Sequence, residues 1–153
     1  LQYLDFHNMD VSGQIRELCR RRLLTEEQAR AVDPGQLTRL LESPLAQRIR
    51  QAEKVLREYR FTLLVDARRY EPAAAPEDKV LLQGVVDCCF RDEAGLHVVD
   101  FKTDRVKGEA LRARAQLYRP QLTAYSEALT RVLGEMVTER VLYFLHTGQT
   151  VEL

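Results

Sequence analysis

Two short apolar runs, each followed by an aspartate, lie on either side of a turn in the middle of the chain. The first is Gly84-Val85-Val86-Asp87, and the second is Val98-Val99-Asp100-Phe101-Lys102-Thr103-Asp104. The residues from Arg91 to Gly95 between them are typical of a β-hairpin turn. Unpaired charge is costly at the end of a buried strand, because it loses its hydration. The stretch therefore predicts a hairpin that brings charged groups together.

The expected register of this hairpin places the two aspartates opposite each other. A turn centred between Glu93 and Ala94 pairs residues whose numbers sum to 187, as the numbers of Asp87 and Asp100 do. Directly opposite residues share a face, with Cβ atoms about 5 Å apart. Lys102 points to the same face, since side chains alternate along a strand. An odd-length loop would move Asp100 to the other face unless a bulge compensated, so the register is a testable prediction.

Carboxylates as close as those predicted for Asp87 and Asp100 repel unless a cation or a proton lies between them. Oxygen ligands suit Mg2+ or Mn2+, and Mg2+ keeps several of its waters. One such water can attack a phosphodiester while the metal neutralises charge on the phosphate. Lys102 would orient or deprotonate that water, or stabilise the transition state. An ion pair between Lys102 and either aspartate that merely closes the sheet is the alternative that spacing leaves open.

The first 58 residues carry helical periodicity and frequent helix-start signals, so we predict a helical cap or arm over 1–58. Thr25 and Gln28 form a sequence pattern typical of a capping box at the start of a short helix. Ser43-Pro44 predicts an N-cap followed by proline at the first helical position, and a helix that runs to about Tyr59.

Residues 59–153 are predicted to form the core of the same single domain. Three strands are followed by a helix from Glu109 to about Leu133, in which Pro120 predicts a break or kink near Tyr118, and by two more strands. This order indicates an α/β (α+β) fold with a mixed central sheet of about five strands flanked by helices.

Charge and cysteine content exclude several classes of protein. Lys and Arg together number 23, as do Asp and Glu, so the chain has no net basic charge to attract nucleic acid over its whole surface. No apolar run approaches the ~20 residues of a membrane span. Three cysteines cannot fill a four-cysteine metal site, and adjacent Cys88 and Cys89 point to opposite faces of a strand. Unpaired thiols of this kind are typical of a reducing cytoplasm.

Three stretches of this chain resemble motifs of one nuclease family. Gly84-Val85-Val86-Asp87 and Asp100-Phe101-Lys102-Thr103-Asp104 resemble the G-x-x-D and D-Y-K-T-D motifs of the PD-(D/E)XK nuclease superfamily. The residues from Tyr118 to Tyr125 resemble its Y-x-x-Q-x-x-x-Y signature. The likeness is greatest to the C-terminal nuclease domain of AddA in AddA/RecB-type bacterial helicase–nucleases. It covers most of the chain and implies a restriction-endonuclease-like fold.

This resemblance implies a role for each matching residue. Asp87 and Asp100 would be metal ligands, with the backbone carbonyl of Phe101 as a further donor. Lys102 would be the catalytic lysine. Gln121 and Tyr125, four residues apart and so on one helix face, would orient the lysine or contact the DNA strand. The implied metal is Mg2+, with Mn2+ as a substitute, and no iron–sulfur cluster is expected.

Two features depart from the family pattern. Glu58 resembles the glutamate of an E-x-P-F stretch, but Arg60 replaces the proline, and a structural role explains Glu58 at least as well. The family has a metal-binding histidine just before a segment like Leu1 to Phe6. We therefore expect this chain to be a fragment of a longer protein, with that ligand upstream. His7 is the substitute that the sequence offers.

The resemblance implies a Mg2+-dependent deoxyribonuclease that cleaves single strands during recombinational repair of double-strand breaks. The implied partners are helicase domains of the same chain and a second helicase–nuclease subunit, in bacterial cytoplasm at the nucleoid and away from membranes. One alternative is a catalytically silent nuclease-like module that binds DNA or a partner protein. Another is a free-standing exonuclease or restriction-type endonuclease. The intact set of charged and polar motif residues disfavours the silent module, because buried charge without a function is costly.

Overall fold

The computed structural model describes all of residues 1–153 and shows helices on both faces of one five-stranded sheet. The helices are α1 (Val11–Arg20), α2 (Glu26–Ala31), α3 (Pro34–Leu41), α4 (Pro44–Gln51) and α5 (Glu109–Leu133). The strands are β1 (Lys54–Asp66), β2 (Lys79–Asp92), β3 (Gly95–Lys102), β4 (Val137–Phe144) and β5 (Gln149–Glu152). Their spatial order follows the chain, and only β3 and β4 are parallel. The predicted mixed sheet flanked by helices is confirmed.

Capping side chains explain where the four short helices begin. Asp10, Thr25, Asp33 and Ser43 each accept a hydrogen bond from a backbone N–H in the first turn that follows. The predicted capping box of α2 is complete, since Gln28 also bonds back to the backbone of Thr25. These helices cover one face of the sheet, where α1, α3 and α4 form the larger core with β2, β3 and β4.

The last of these helices is shorter than its sequence predicts. α4 ends at Gln51 and β1 begins at Lys54, so the prediction of helix as far as Tyr59 is wrong. The local residues favour helix by only a few tenths of a kcal/mol each. In the structure, Val55 packs into the core under α1–α4, whereas Leu56 packs into the core under α5. This alternation, together with a backbone ladder along β2, outweighs the local preference.

α5 is continuous through Pro120, so the predicted break near Tyr118 is wrong. Proline removes a helical hydrogen bond and costs about 3 kcal/mol in a helix interior. The residues that α5 buries against the sheet lie on both sides of this position: Leu111, Ala115, Leu122, Ala128 and Leu129. Fully burying one large apolar side chain is worth about 1.5–3 kcal/mol, so packing along the whole helix outweighs the cost of the proline.

The sheet separates the core under α1–α4 from the two clusters under α5. Cys88 lies in the first and Cys89 in the second, so their opposite orientation is confirmed, and all three cysteines are free. Lys102 hydrogen-bonds a side chain of α5, which places it on the α5 face. None of the helices has the length and apolarity needed to cross a membrane.

Candidate nuclease site

The hairpin of β2 and β3 has the register that the sequence predicts. Cys88 pairs with Val99, so the paired residue numbers sum to 187, and regular pairing stops there. One residue further, the backbone N–H of Phe101 donates to Oδ2 of Asp87 at 2.9 Å, where a ladder hydrogen bond would otherwise lie. The two aspartates therefore occupy the point at which the strands cease to pair.

Asp100 and Lys102 form a buried ion pair on β3. Asp100 is 3% exposed, and the side chain of Lys102 is 14% exposed. Oδ2 of Asp100 contacts the Lys102 ammonium and accepts no hydrogen bond of regular geometry. Burial raises the pKa of the Asp100 carboxyl, and the nearby charge of Asp87 adds to this, although the Lys102 ammonium acts in the opposite direction. The negative charge at Asp100 is thus only partly compensated.

Three side chains of α5 approach this lysine. Oε1 of Gln121 accepts a hydrogen bond from Nζ of Lys102 at 3.0 Å, and the Gln121 amide donates to the Tyr125 hydroxyl at 2.7 Å. Nζ of Lys102 also lies 3.9 Å from the centre of the Tyr118 ring, within cation–π distance. The spacings of three and four residues put all three on one helix face. The structure thus brings Lys102, Gln121 and Tyr125 together.

Phe101 presents only its backbone to this site. Its ring packs against the core under α1–α4 and meets the Tyr143 ring edge to face, with centroids 6.2 Å apart. Its N–H donates a hydrogen bond to the Asp87 carboxylate. Any contribution of this residue to metal binding therefore comes from a main-chain oxygen.

The oxygen donors at this point fit a hard divalent cation. The structure contains no cluster of three or more His, Cys, Asp or Glu side chains arranged to hold a metal, and His7 is exposed. Mg2+ commonly binds through one or two carboxylates and fills its other positions with water and phosphate oxygens. The buried Oδ2 of Asp100 already contacts the Lys102 ammonium, so a cation bound here would share the Asp100 carboxylate with the lysine. Asp87 and Asp100 would be the carboxylates available to such a cation.

Glu58 lies next to this pair, on the neighbouring strand. The β1–β2 ladder skips Glu58, which its flanking pairs place across from Asp87, and its φ is 50°. A left-handed conformation is uncommon outside glycine and costs roughly 1–2 kcal/mol. Glu58, Asp87 and Asp100 thus come from three successive strands. The likeness to an E-x-P-F stretch was the only sequence signal for Glu58, since a left-handed residue within β1 cannot be read from periodicity.

Gly84 is required by the packing of β1 and β2 against α5. A Cβ atom at this position would lie 2.6 Å from the Phe61 ring and 3.3 Å from the Tyr125 ring. These two rings meet edge to face with centroids 5.9 Å apart. The glycine three residues before Asp87 therefore lets Tyr125 lie close to the sheet, beside the site.

We expect Gly84→Ala to weaken both the fold and the site. The added methyl must displace Phe61 or Tyr125, and overpacking of this kind costs about 1–3 kcal/mol. Urea denaturation measures the loss in free energy of unfolding. Gly35→Ala in α3 is the matched control, because its Cβ would meet only an exposed Asp33 carboxylate oxygen, at 3.2 Å. Equal stability of Gly84→Ala and the wild type would contradict this account of the packing.

The residues of this site lie within the part of the chain that matches a known protein family. A model of the PD-(D/E)XK nuclease superfamily matches residues 6–152, a range that contains both aspartates, the lysine and the polar face of α5. This chain belongs to the PD-(D/E)XK nuclease superfamily. The family resemblance drawn from the motifs is thereby confirmed.

This superfamily member is similar over its whole length to bacterial proteins that are named as subunits of an ATP-dependent helicase/nuclease. It is 36% identical over 157 residues to the one from Ruminiclostridium cellulolyticum, with 100% of this chain and 13% of that protein covered. It is 40% identical over 154 residues to the one from Desulforudis audaxviator, with 97% and 12% covered. The chain thus spans only 12–13% of the length of these relatives.

Proposed function

We propose that this chain is the nuclease domain of an ATP-dependent helicase/nuclease and hydrolyses DNA phosphodiester bonds with a divalent metal ion. The observation that carries the proposal is the cluster of Asp87, Asp100 and Lys102 at the end of the β2–β3 pairing, with Gln121 hydrogen-bonded to the lysine. The names of the relatives support a nuclease that shares a polypeptide with helicase domains. Within the domain, the helical part as far as Gln51 would serve as a cap on the sheet, and the sheet from Lys54 onwards, with α5, as the nuclease core.

The proposed chemistry assigns one task to each group. Asp87, Asp100 and the carbonyl of Phe101 would hold the metal, which supplies positive charge to the phosphate and lowers the pKa of a bound water. The Lys102 ammonium, held by Asp100 and Gln121, would donate to an oxygen that gains charge in the transition state. The Tyr125 oxygen accepts from Gln121, so its own proton remains free to donate to the DNA strand.

Single-stranded DNA is the substrate that we propose, with Mg2+ as the metal and Mn2+ as a substitute. The chain carries 23 basic and 23 acidic residues, so long-range attraction to DNA is weak. That balance suits a domain that receives its strand from a helicase. Double-strand-break repair in bacterial cytoplasm, together with a second helicase–nuclease subunit, is the setting that we propose.

The test is cleavage of end-labelled single-stranded DNA by the complete helicase/nuclease polypeptide in MgCl2, with EDTA as the metal-free reference. Asp87→Asn and Asp100→Asn are expected to abolish cleavage, because each removes a charged metal ligand at nearly constant volume. Full cleavage by both variants would place the nuclease elsewhere. Binding of DNA without cleavage by the wild type would support the silent module instead.

Divalent cations are expected to raise the melting temperature of the chain in the absence of DNA. A cation between Asp87 and Asp100 offsets their repulsion, and a ligand at 100 times its Kd stabilises the folded state by about 2.7 kcal/mol. Thermal unfolding in MgCl2 is compared with unfolding in NaCl of equal ionic strength. The rise should disappear in Asp87→Asn and persist in Glu93→Gln, whose side chain is exposed in the hairpin turn. A rise that persists in Asp87→Asn would contradict the assignment of that ligand.

A further inference from the structure

The Asp104 carboxylate, behind Tyr118, contacts two side chains of α5. Nε of Arg114 lies 3.0 Å from Oδ1 of Asp104 in an ion pair, and the Tyr118 hydroxyl donates to Oδ2 at 2.9 Å. The Asp104 side chain is 16% exposed, in the segment that leaves β3. Each carboxylate oxygen thus contacts a side chain of one helix.

The ring held by Asp104 lies against the lysine of the proposed nuclease site. Nζ of Lys102 is 3.9 Å from the centre of the Tyr118 ring and contacts Asp100 and Gln121 on its other sides. A free lysine side chain has many rotamers, and fixing it in one of them costs conformational entropy. The aromatic face removes one direction in which the ammonium could move. The position of Lys102 therefore depends on Tyr118, and that of Tyr118 on Asp104.

We propose that Asp104 is a positioning residue for DNA cleavage, which acts through Tyr118 to fix the Lys102 ammonium at the reaction centre. Arg114 orients the Asp104 carboxylate for this task. The inference rests on the proposed nuclease function, because it concerns how Lys102 acts in that reaction. The hydrogen bond between Asp104 and Tyr118 also links two separate stretches of sequence, since Asp104 is the last residue of the lysine motif and Tyr118 is the first residue of the polar face of α5.

Four variants distinguish the effect of the Tyr118 ring from the effect of its hydrogen bond to Asp104. Tyr118→Phe keeps the ring and loses the hydroxyl, whereas Tyr118→Leu loses both. Asp104→Ala removes both acceptor oxygens, whereas Asp104→Asn keeps one for the Tyr118 hydroxyl. Displacing a reacting group by about 1 Å can cost up to 100-fold in rate. We therefore expect kcat to fall about 10-fold or more in Asp104→Ala and Tyr118→Leu, with a smaller fall in Tyr118→Phe and substantial rescue in Asp104→Asn.

Separate measurement of kcat and KM distinguishes a positioning role of Asp104 from a role in DNA binding. KM for single-stranded DNA should stay within about twofold, since an interaction used only in the transition state lowers kcat alone. The double variant Asp104→Ala/Tyr118→Phe should have the same kcat as Asp104→Ala alone, because both substitutions remove the hydrogen bond between Asp104 and Tyr118. Glu109→Ala, an exposed acidic residue at the start of α5, is the control and should leave kcat unchanged.

The outcomes separate this inference from the proposed function. If the wild type cleaves DNA and Asp104→Ala has the same kcat, Asp104 is not a positioning residue and the nuclease proposal stands. A rise in KM alone would also overturn the inference, since it would indicate a DNA contact. If the wild type does not cleave at all, the nuclease function fails and the inference with it. Circular dichroism of each variant identifies misfolding, and Tyr118→Phe retains the decisive comparison if Asp104→Ala does not fold.

Discussion

Lys102→Ala is expected to lower kcat for DNA cleavage by about 100- to 1,000-fold, the cost of removing one donor to developing charge. The Lys102 side chain is 14% exposed, and its ammonium lies between a carboxylate and an amide oxygen, where the effective dielectric is lower than in water. A charge there interacts with a phosphate more strongly than it would in water. Single-turnover cleavage of end-labelled single-stranded DNA in MgCl2 measures the chemical step directly.

Loss of the lysine also leaves Asp100 unpaired, so stability must be measured beside activity. Lys102→Met keeps most of the aliphatic stem and should lose activity to the same extent as Lys102→Ala. Lys79→Ala, at the exposed start of β2, is the matched control and should cleave as the wild type does. Undiminished cleavage by Lys102→Ala with an intact fold would mean that the chemistry lies outside this hairpin.

The hairpin could be predicted in detail because its determinants are close together in sequence. The turn after Asp92 is short, and alternation along two apolar strands leaves one register that buries Val98 and Val99 on opposite faces. The boundary between α4 and β1 could not be predicted in the same way. The start of β1 is fixed by the pairing of Lys54 with Arg91, which lies thirty-seven residues later in the chain. Local helix and strand propensities contain no information about such a distant pairing.

Side chains of the site were predictable individually, but their contacts were not. Helical spacing places Gln121 and Tyr125 on one face of α5, yet it does not say that this face meets Lys102. That contact follows from α5 packing on the sheet, which the buried apolar residues of the helix determine. The hydrogen bond of Tyr118 with Asp104 depends on the same packing, and the position of Glu58 across from Asp87 depends on the register of β1 with β2.

The face of the sheet opposite the site contains a second polar cluster, in which the buried His97 lies among partly buried charged side chains. Strand alternation predicts that His97 lies on the face opposite Asp100, and its packing beneath α4 confirms this. The residue is 1% exposed, with Nε2 2.6 Å from Asp92 and Nδ1 2.8 Å from Glu139. Arg48 of α4 contacts the same two carboxylates at 2.9 and 2.8 Å. The cluster joins α4, the β2–β3 hairpin and β4.

The pKa of Asp92 shows how this cluster contributes to stability. Burial alone would raise that pKa, but hydrogen bonds from His97, the Ala94 backbone and Arg48 together hold it below its usual value. A carboxylate with a lowered folded pKa contributes stability above its unfolded pKa of about 3.9. That contribution is lost as the pH falls through the lowered folded value. The Asp92 carboxylate should therefore raise the free energy of unfolding at neutral pH, and this contribution should be lost in acid.

His97→Ala is accordingly expected to lower the free energy of unfolding by about 3 kcal/mol at pH 7, because it removes a fully buried ring together with its polar contacts to Asp92 and Glu139. The variant loses ring packing on Phe90, at a centroid distance of 4.8 Å, and leaves Arg48 as the remaining contact of both carboxylates. Urea denaturation measures the change, with exposed His7→Ala as the matched control, expected within about 0.5 kcal/mol of the wild type.

The pH dependence of the His97→Ala difference provides an independent check on its electrostatic part. As the pH falls below the unfolded pKa of about 3.9 and through the lowered folded pKa, Asp92 takes up a proton and the hydrogen bond between its carboxylate and His97 is lost in the wild type. The stability difference between wild type and variant should therefore narrow in acid, towards the part that comes from packing on Phe90. A difference that stays constant from pH 7 to pH 3 would show that packing alone makes His97 important. Cleavage per folded molecule should be unchanged, because Asp100 and Lys102 face the other side of the sheet.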